Sequence, residues 1–228
     1  MSAPVEVTIA PELRGRVRLG VLVLEGVTVR EADEALAAEI AACGSEVRER
    51  YGTAKSGEVP AVEDARALYK ALGIDPTKTR PSNEALLRRV LKGEALYRVN
   101  TLVDALNLCS LREQLPFGLY DLAQVAPPVV LRRGLAGEAY EGIRKGAVNV
   151  DGRPVLADAR GPFGNPTSDS ARTMVTTATT RALVTAYAPS GYALPRLEKV
   201  LERTEETLTR ACGGTRLARE TLPPLSGP

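Results

Sequence analysis

The 228-residue chain is 44% apolar and 25% charged, with 4% aromatic residues and no Trp, so its core must be built mainly from Val, Leu, Ala and Ile. It contains no His, which excludes Ser-His-Asp, Cys-His and His-ligated zinc chemistry and leaves proton transfer to Asp, Glu, Lys, Tyr, Cys, water or the substrate. A net charge of +2 neither requires nor forbids a nucleic-acid partner.

In chain order, the start to Pro11 lacks the layout of a signal peptide, and no run approaches 18 apolar residues. A soluble, cytoplasmic protein without a membrane partner is expected. Residues 16–29 are rich in β-branched side chains and read as a strand or hairpin, with Glu25-Gly26 as turn or bulge. The period then changes: Leu36, Ile40, Cys43 and Val47 share a helical face, and Gly52 ends that helix. Pro60 opens a second helix, with Val62, Ala65, Leu68 and Leu72 as its stripe and Gly73 as its stop. Ser82 reads as the N-cap of a third, whose buried side is expected at Ala85, Leu86, Val90 and Leu91. Residues 99–111 form a fourth, carrying an apolar stripe (Leu102, Leu106, Cys109) and a polar one, Asn100, Asp104 and Asn107.

Beyond Leu115-Pro116 the pattern is β-like. Residues 129–132 are a short strand, and Asp151-Gly152 between two apolar runs signals a hairpin. The Thr- and Val-rich stretch 171–187 reads as two strands hinged near Thr180-Arg181. A last helix over about 195–212 ends at Gly213-Gly214, and 216–228 is expected as a disordered tail. Helices first and strands later argue for an α+β fold, with helices packed on a mostly antiparallel sheet. One domain is expected over 1–215.

No dinucleotide-binding glycine motif or Walker loop is present, and no cofactor or metal is implied. Cys43, Cys109 and Cys212 fit no zinc or disulfide spacing and are expected to be buried apolar side chains in a reducing compartment. The densest turn chemistry is 161–170, which includes Asn165, Ser168, Asp169 and Ser170. It is either a long surface loop or a pocket-forming one. The Asn100/Asp104/Asn107 row meets either loop backbone or a ligand. At the corner after Pro116, Tyr120-Asp121 is either a site edge or a core Tyr with a capping Asp. Residues 76–98 carry six cations (Lys78, Arg80, Arg88, Arg89, Lys92, Arg98) against Glu84 and Glu94. That is a solvated helix face or a track for a phosphate backbone.

Taken in order, these segments resemble a known family. Asn100-Thr-Leu-Val-Asp104-Ala-Leu-Asn107 looks like the (N/V)-x-x-VD-x-x-N segment of the B3/B4 domains of bacterial phenylalanyl-tRNA synthetase β chains. Leu115-Pro116-Phe117-Gly118-Leu119-Tyr120-Asp121 stands where that family has Pro-Leu-His-Ala-Phe-Asp. Val130 to Glu138 resembles its basic strand followed by Gly-Glu, and Asp151-Gly152 its hairpin turn. Loop 161–170 and the Thr-rich stretch fall where it has a glycine loop and further strands. Thr79 to Glu84 is similar to free-standing members. The resemblance covers about 60–190 and rests on the order of the segments, none being specific alone.

In the synthetase this domain holds an editing pocket that hydrolyses tyrosine wrongly attached to the phenylalanine tRNA. The resemblance therefore implies a pocket for an amino-acid-sized ligand that receives a tRNA 3′ end, with no aminoacylation. It implies either an aminoacyl-tRNA hydrolase acting in trans or, in the alternative, a regulatory module binding a free amino acid or small metabolite. Asp169, Ser168 and Asn165 are the expected catalytic residues. Asn107, Tyr120 and Thr176 would bind substrate, with Asp121 and Asp104 either doing so or bracing turns. Arg80, Arg88 and Arg89 would hold tRNA phosphates. Phe117-Gly118 replace the family's His, and the carboxylate of its later strand has no counterpart among 174–180, so the pocket chemistry is not carried over at those positions.

Overall fold

A computed structural model describes residues 5–223. Its centre is a four-stranded antiparallel sheet in the order β10-β2-β9-β3, formed by β2 (Val17–Glu25), β3 (Phe117–Asp121), β9 (Arg181–Pro189) and β10 (Thr215–Leu222). The uninterrupted apolar run of β2 marks it as an interior strand covered on both faces. Leu22 and Leu24 face one core with Ala182, Val184 and Ala186, while Val21 and Val23 face another with Leu183 and Tyr187. Gly20 lies under the last helix, where an added Cβ would come within 2.9 Å of Leu201.

Helices α1 (Glu34–Tyr51), α3 (Ser82–Leu91), α4 (Thr101–Glu113) and α5 (Leu194–Cys212) cover the first face. On the second lie α2 (Glu63–Ala71) and a second sheet in the order β1-β4-β7-β8, from β1 (Val7–Ile9), β4 (Val129–Arg133), β7 (Pro154–Asp158) and β8 (Gly161–Gly164). The β1–β4 pair is parallel and the others antiparallel. Strands β5 (Ala139–Gly142) and β6 (Gly146–Asn149) form a separate ribbon. The fold is α+β, as expected. Among the described residues no helix is long and apolar enough to cross a membrane, and all three cysteines are buried and unbridged.

Of the two alternatives for residues 16–29 the strand is found, ending at Glu25, with Gly26 at φ +68° turning the chain as expected. Several local expectations need correction. Asp151-Gly152 turns the chain but joins no hairpin, because β6 pairs back on β5 while β7 pairs with β4 and β8. Of the Thr-rich stretch only β9 is a strand; 171–180 is a short 3-10 turn (Ala171–Thr173) and loop. β10 occupies 215–222 where a disordered tail was expected, paired antiparallel along one edge with β2; the expectation for 224–228 lies outside the described residues. In α3 the buried side is Asn83, Glu84, Leu87 and Val90, rotated from the one expected, and Pro81 rather than Ser82 is the N-cap. Two polar residues are buried there because Asn83 donates to the Gln114 carbonyl (2.9 Å) and Glu84 is bracketed by arginines.

Candidate functional site

A cavity of about 310 Å³ opens along β3, one of the two edge strands of the central sheet. Strand β3 alternates sides as a strand must. Phe117 and Leu119 turn toward the helices and line the cavity, while Tyr120 turns to the opposite core. Helix α4 adds Val103, Leu106, Asn107 and Ser110, four positions on one face at helical spacing. Ser82 and Leu86, one turn apart on α3, complete the helical wall. The rest comes from Thr167 to Asp169, from Met174 and Val175, and from the β5–β6 turn through Ile143 and Lys145. The interior is mostly apolar, and the charged groups in its wall, Lys145 and Asp169, stand beside Ser168.

Loop 161–170 is held from several directions. The Asn165 side-chain carbonyl accepts the amides of Thr167 (2.8 Å) and Ser168 (2.9 Å). The Tyr69 hydroxyl donates to the Pro166 carbonyl (2.9 Å) and also meets the Thr167 hydroxyl (2.9 Å), and the Tyr140 hydroxyl donates to the Ser168 carbonyl. Just beyond the loop, Arg172 forms a bidentate pair with Asp158 (2.9 and 3.0 Å). Gly118 and Gly164 press against the Tyr120 ring and hydroxyl, and a Cβ at either position would collide with them. Tyr120 also meets Phe163 edge-on, 4.9 Å between ring centres. The loop is thus a rigid support for the three residues it carries into the cavity wall.

Two of these, Ser168 and Asp169, stand beside Lys145. The Lys145 ammonium donates to the Ser168 hydroxyl at 3.2 Å. One carboxylate oxygen of Asp169 is fully shielded from solvent and accepts no hydrogen bond. Burial pushes its carboxyl up to about 7, with the Tyr120 hydroxyl, the Leu119 amide and the Lys145 charge pulling the other way. A carboxyl that ionises near neutrality, next to a lysine and a hydroxyl at an apolar cavity, can accept a proton from water while the ammonium stabilises negative charge.

Of the residues expected from the sequence, the structure brings Asn107, Ser168 and Asp169 to the cavity. The others lie elsewhere. Tyr120 is buried beneath the loop, its hydroxyl 3.4 Å from that of Tyr187. Asn165 has its carbonyl oxygen already committed to the loop. Asp121 accepts the Ala123 amide and the Thr179 hydroxyl (3.0 and 2.9 Å), so it braces a turn. Asp104 accepts the Val99 amide (2.9 Å) near Arg98, and burial raises its carboxyl. Thr176 is exposed and its hydroxyl accepts the Ala178 amide. Of the polar row on α4, Asn100 is the N-cap, accepting from Val103 (3.0 Å), which leaves Asn107 for the cavity. Lys145 was missed because it sits in an exposed turn with no local motif.

A second concavity, a cleft of about 570 Å³, lies on the far side of α3. Arg80, Arg88 and Lys92 line it with Lys55 and Arg66. Glu84, with 1% of its side chain exposed, neutralises part of this charge: Arg66 binds it at 2.8 and 3.0 Å, Arg80 approaches to 3.5 Å and Ser56 donates at 3.1 Å. Arg89 lies outside the cleft, paired with Glu94 (2.9 Å) and stacked on Tyr97. Among the described residues no group of three or more Cys, Asp or Glu side chains could hold a metal ion.

The B3/4 domain family matches residues 64–213, which include the cavity and half of the residues lining the cleft. The fold is also similar to an N-terminal fragment of the phenylalanyl-tRNA synthetase β-subunit from Pyrococcus horikoshii, with a TM-score of 0.51 and 13% sequence identity. That likeness covers 97% of this chain and 55% of the fragment, so this chain spans about half its length. No curated protein gives a sequence match.

Proposed function

The chain belongs to the B3/4 domain family, and we propose that its cavity receives the aminoacyl end of a transfer RNA and hydrolyses a mischarged ester in trans. The observation that carries this reading is the combination of an apolar, amino-acid-sized cavity with Lys145, Ser168 and Asp169 together in its wall. Ionised Asp169 takes a proton from water, and the hydroxide adds to the ester carbonyl. Lys145 and Ser168 stabilise the resulting oxyanion. The bond to the ribose oxygen then breaks, and that oxygen leaves with the proton returned from Asp169. The Thr167 and Ser168 amides, already bonded to Asn165, are not free for the oxyanion, so the role passes to Lys145. The cationic cleft beyond α3 holds phosphates.

A second reading rests on the same ammonium: Lys145 would also pair with the carboxylate of a free amino acid, making the protein a binding module without catalysis. Both readings share the cavity. Its test is thermal shift with a panel of amino-acid amides, since a ligand at about 100 times its Kd stabilises the native state by roughly 2.7 kcal/mol. Amides with apolar side chains are expected to raise the Tm and those of aspartate and lysine to leave it unchanged. Val103→Phe, which fills the cavity, should remove the response. No shift with any amide contradicts the aminoacyl-ester reading.

A further inference from the structure

Among the described residues, five large apolar side chains are markedly exposed, and Tyr97 (62%), Val99 (53%) and Met174 (40%) are three of them. Scattered singly they would mean little. Val99 and Met174, however, line the cavity, and Tyr97 lies two residues from Val99 in the segment joining α3 to α4. Tyr97 is also held in place. The Arg89 guanidinium covers its ring at 4.0 Å and is itself fixed by the Ala95 carbonyl and Glu94. With one face on the cation, a residue this exposed presents the rest of its ring to solvent.

The shallow depression over Tyr97 connects the two concavities. It shares Leu86 with the cavity, and Arg88 and Lys92 with the cationic cleft. Neither Arg88 nor Lys92 pairs with a carboxylate among the described residues. The carboxylates nearest them in sequence, Glu84 and Glu94, are taken by Arg66, Arg80 and Arg89. The order across the exposed side of α3 is therefore cavity, fixed aromatic ring, two unpaired cations, basic cleft. An aromatic platform followed by a positive groove is how proteins hold single-stranded nucleic acid, with bases on rings and phosphates on cations.

We propose that Tyr97 is the stacking platform for the terminal base of a single-stranded RNA 3′ end. The preceding phosphates run over Arg88 and Lys92 into the cleft. This deepens, and rests on, the reading of the cavity as the seat of an RNA-borne aminoacyl group: a base on Tyr97 sets its ribose at the Leu86 rim, beside the cavity mouth. The Arg89 stack is then part of the platform and not a phosphate contact.

The test uses a short single-stranded RNA with 2-aminopurine as its 3′-terminal base, whose fluorescence reports stacking, together with anisotropy for affinity. Wild-type protein should bind it with quenching, and bind a blunt duplex of the same sequence more weakly. Tyr97→Ala should lose about 5- to 150-fold in affinity together with the quenching, while Tyr97→Phe keeps both. Arg88→Gln with Lys92→Gln should lower the salt slope by about 1.4, since each phosphate contact on a single strand contributes roughly 0.7. Equal binding by Tyr97→Ala, preference for the duplex, or no RNA binding at low salt overturns the proposal. RNA binding through Tyr97 without any response to amino-acid amides would sink the cavity reading and leave the platform. Amide binding with Tyr97→Ala indifferent to RNA would do the reverse.

Discussion

Replacing Asp169 by asparagine tests the electrostatics of the cavity wall without changing its shape. A carboxyl raised from 3.8 to about 7 is neutral in the folded protein at pH values where the unfolded chain has already released its proton. The unfolded state therefore binds fewer protons between those two limits, and stability falls as pH rises through that window. The ceiling on the loss is about 4 kcal/mol, at 1.36 kcal/mol for each pH unit between them. The realised loss is smaller, because part of the side chain is open to the cavity while one oxygen is sealed. Asp169→Asn removes the titration. Urea unfolding of both proteins between pH 4 and pH 8 should show the smallest difference at the acid end, a gap in favour of the variant that widens from about pH 4 to about pH 7, and a plateau above. A constant offset, or a variant weaker than wild type at pH 8, would refute a buried carboxyl that ionises near neutrality and return Asp169 to the role of loop brace.

Three further outcomes follow from other parts of the structure. Glu84→Ala strands Arg66 and Arg80 at the base of the cleft. A cost of about 3 kcal/mol is expected by chemical denaturation, the low end for a broken buried pair because Arg66 keeps water on its outer side; a cost under about 1 kcal/mol would contradict the bracketing role. Gly164→Ala drives a methyl into Tyr120 and should lower stability by about 2 kcal/mol, with a Tm equal to wild type counting against the close contact. If Asp169 is the base, hydrolysis should rise with pH through about 7 and then level, and Asp169→Asn should abolish that dependence; a profile unchanged in the variant removes Asp169 from the chemistry.

The helices were legible because their signals are local. Gly52 and Gly213 end α1 and α5 as read, and α4 keeps its apolar stripe with Asn100 as cap. Pairing was harder. The Thr-rich residues 171–180 have strand propensity but no partner, since β9 is already flanked by β2 and β3, and propensity without an available edge gives loop. Asp151-Gly152 has hairpin chemistry, yet its flanking runs belong to different sheets. At the site, turn composition located loop 161–170, and three of its residues reach the cavity. Tyr120 was misplaced because assigning it to the pocket required knowing which face of β3 the helices cover. Lys145 carried no signal: a lysine in an exposed turn becomes a site residue only through Ser168, 23 positions away. The cations of 76–98 read as one surface, while the fold divides them among Glu84, Tyr97 and the open cleft.

The most direct test of the central claim is deacylation of a panel of correctly and incorrectly charged transfer RNAs by the purified protein, beside Asp169→Asn and Val103→Phe. The account predicts selective release of an apolar amino acid from a mischarged species, lost in both variants. No release from any charged species by the wild-type protein would contradict hydrolysis, and with a positive amide response would leave the cavity as a binding site alone.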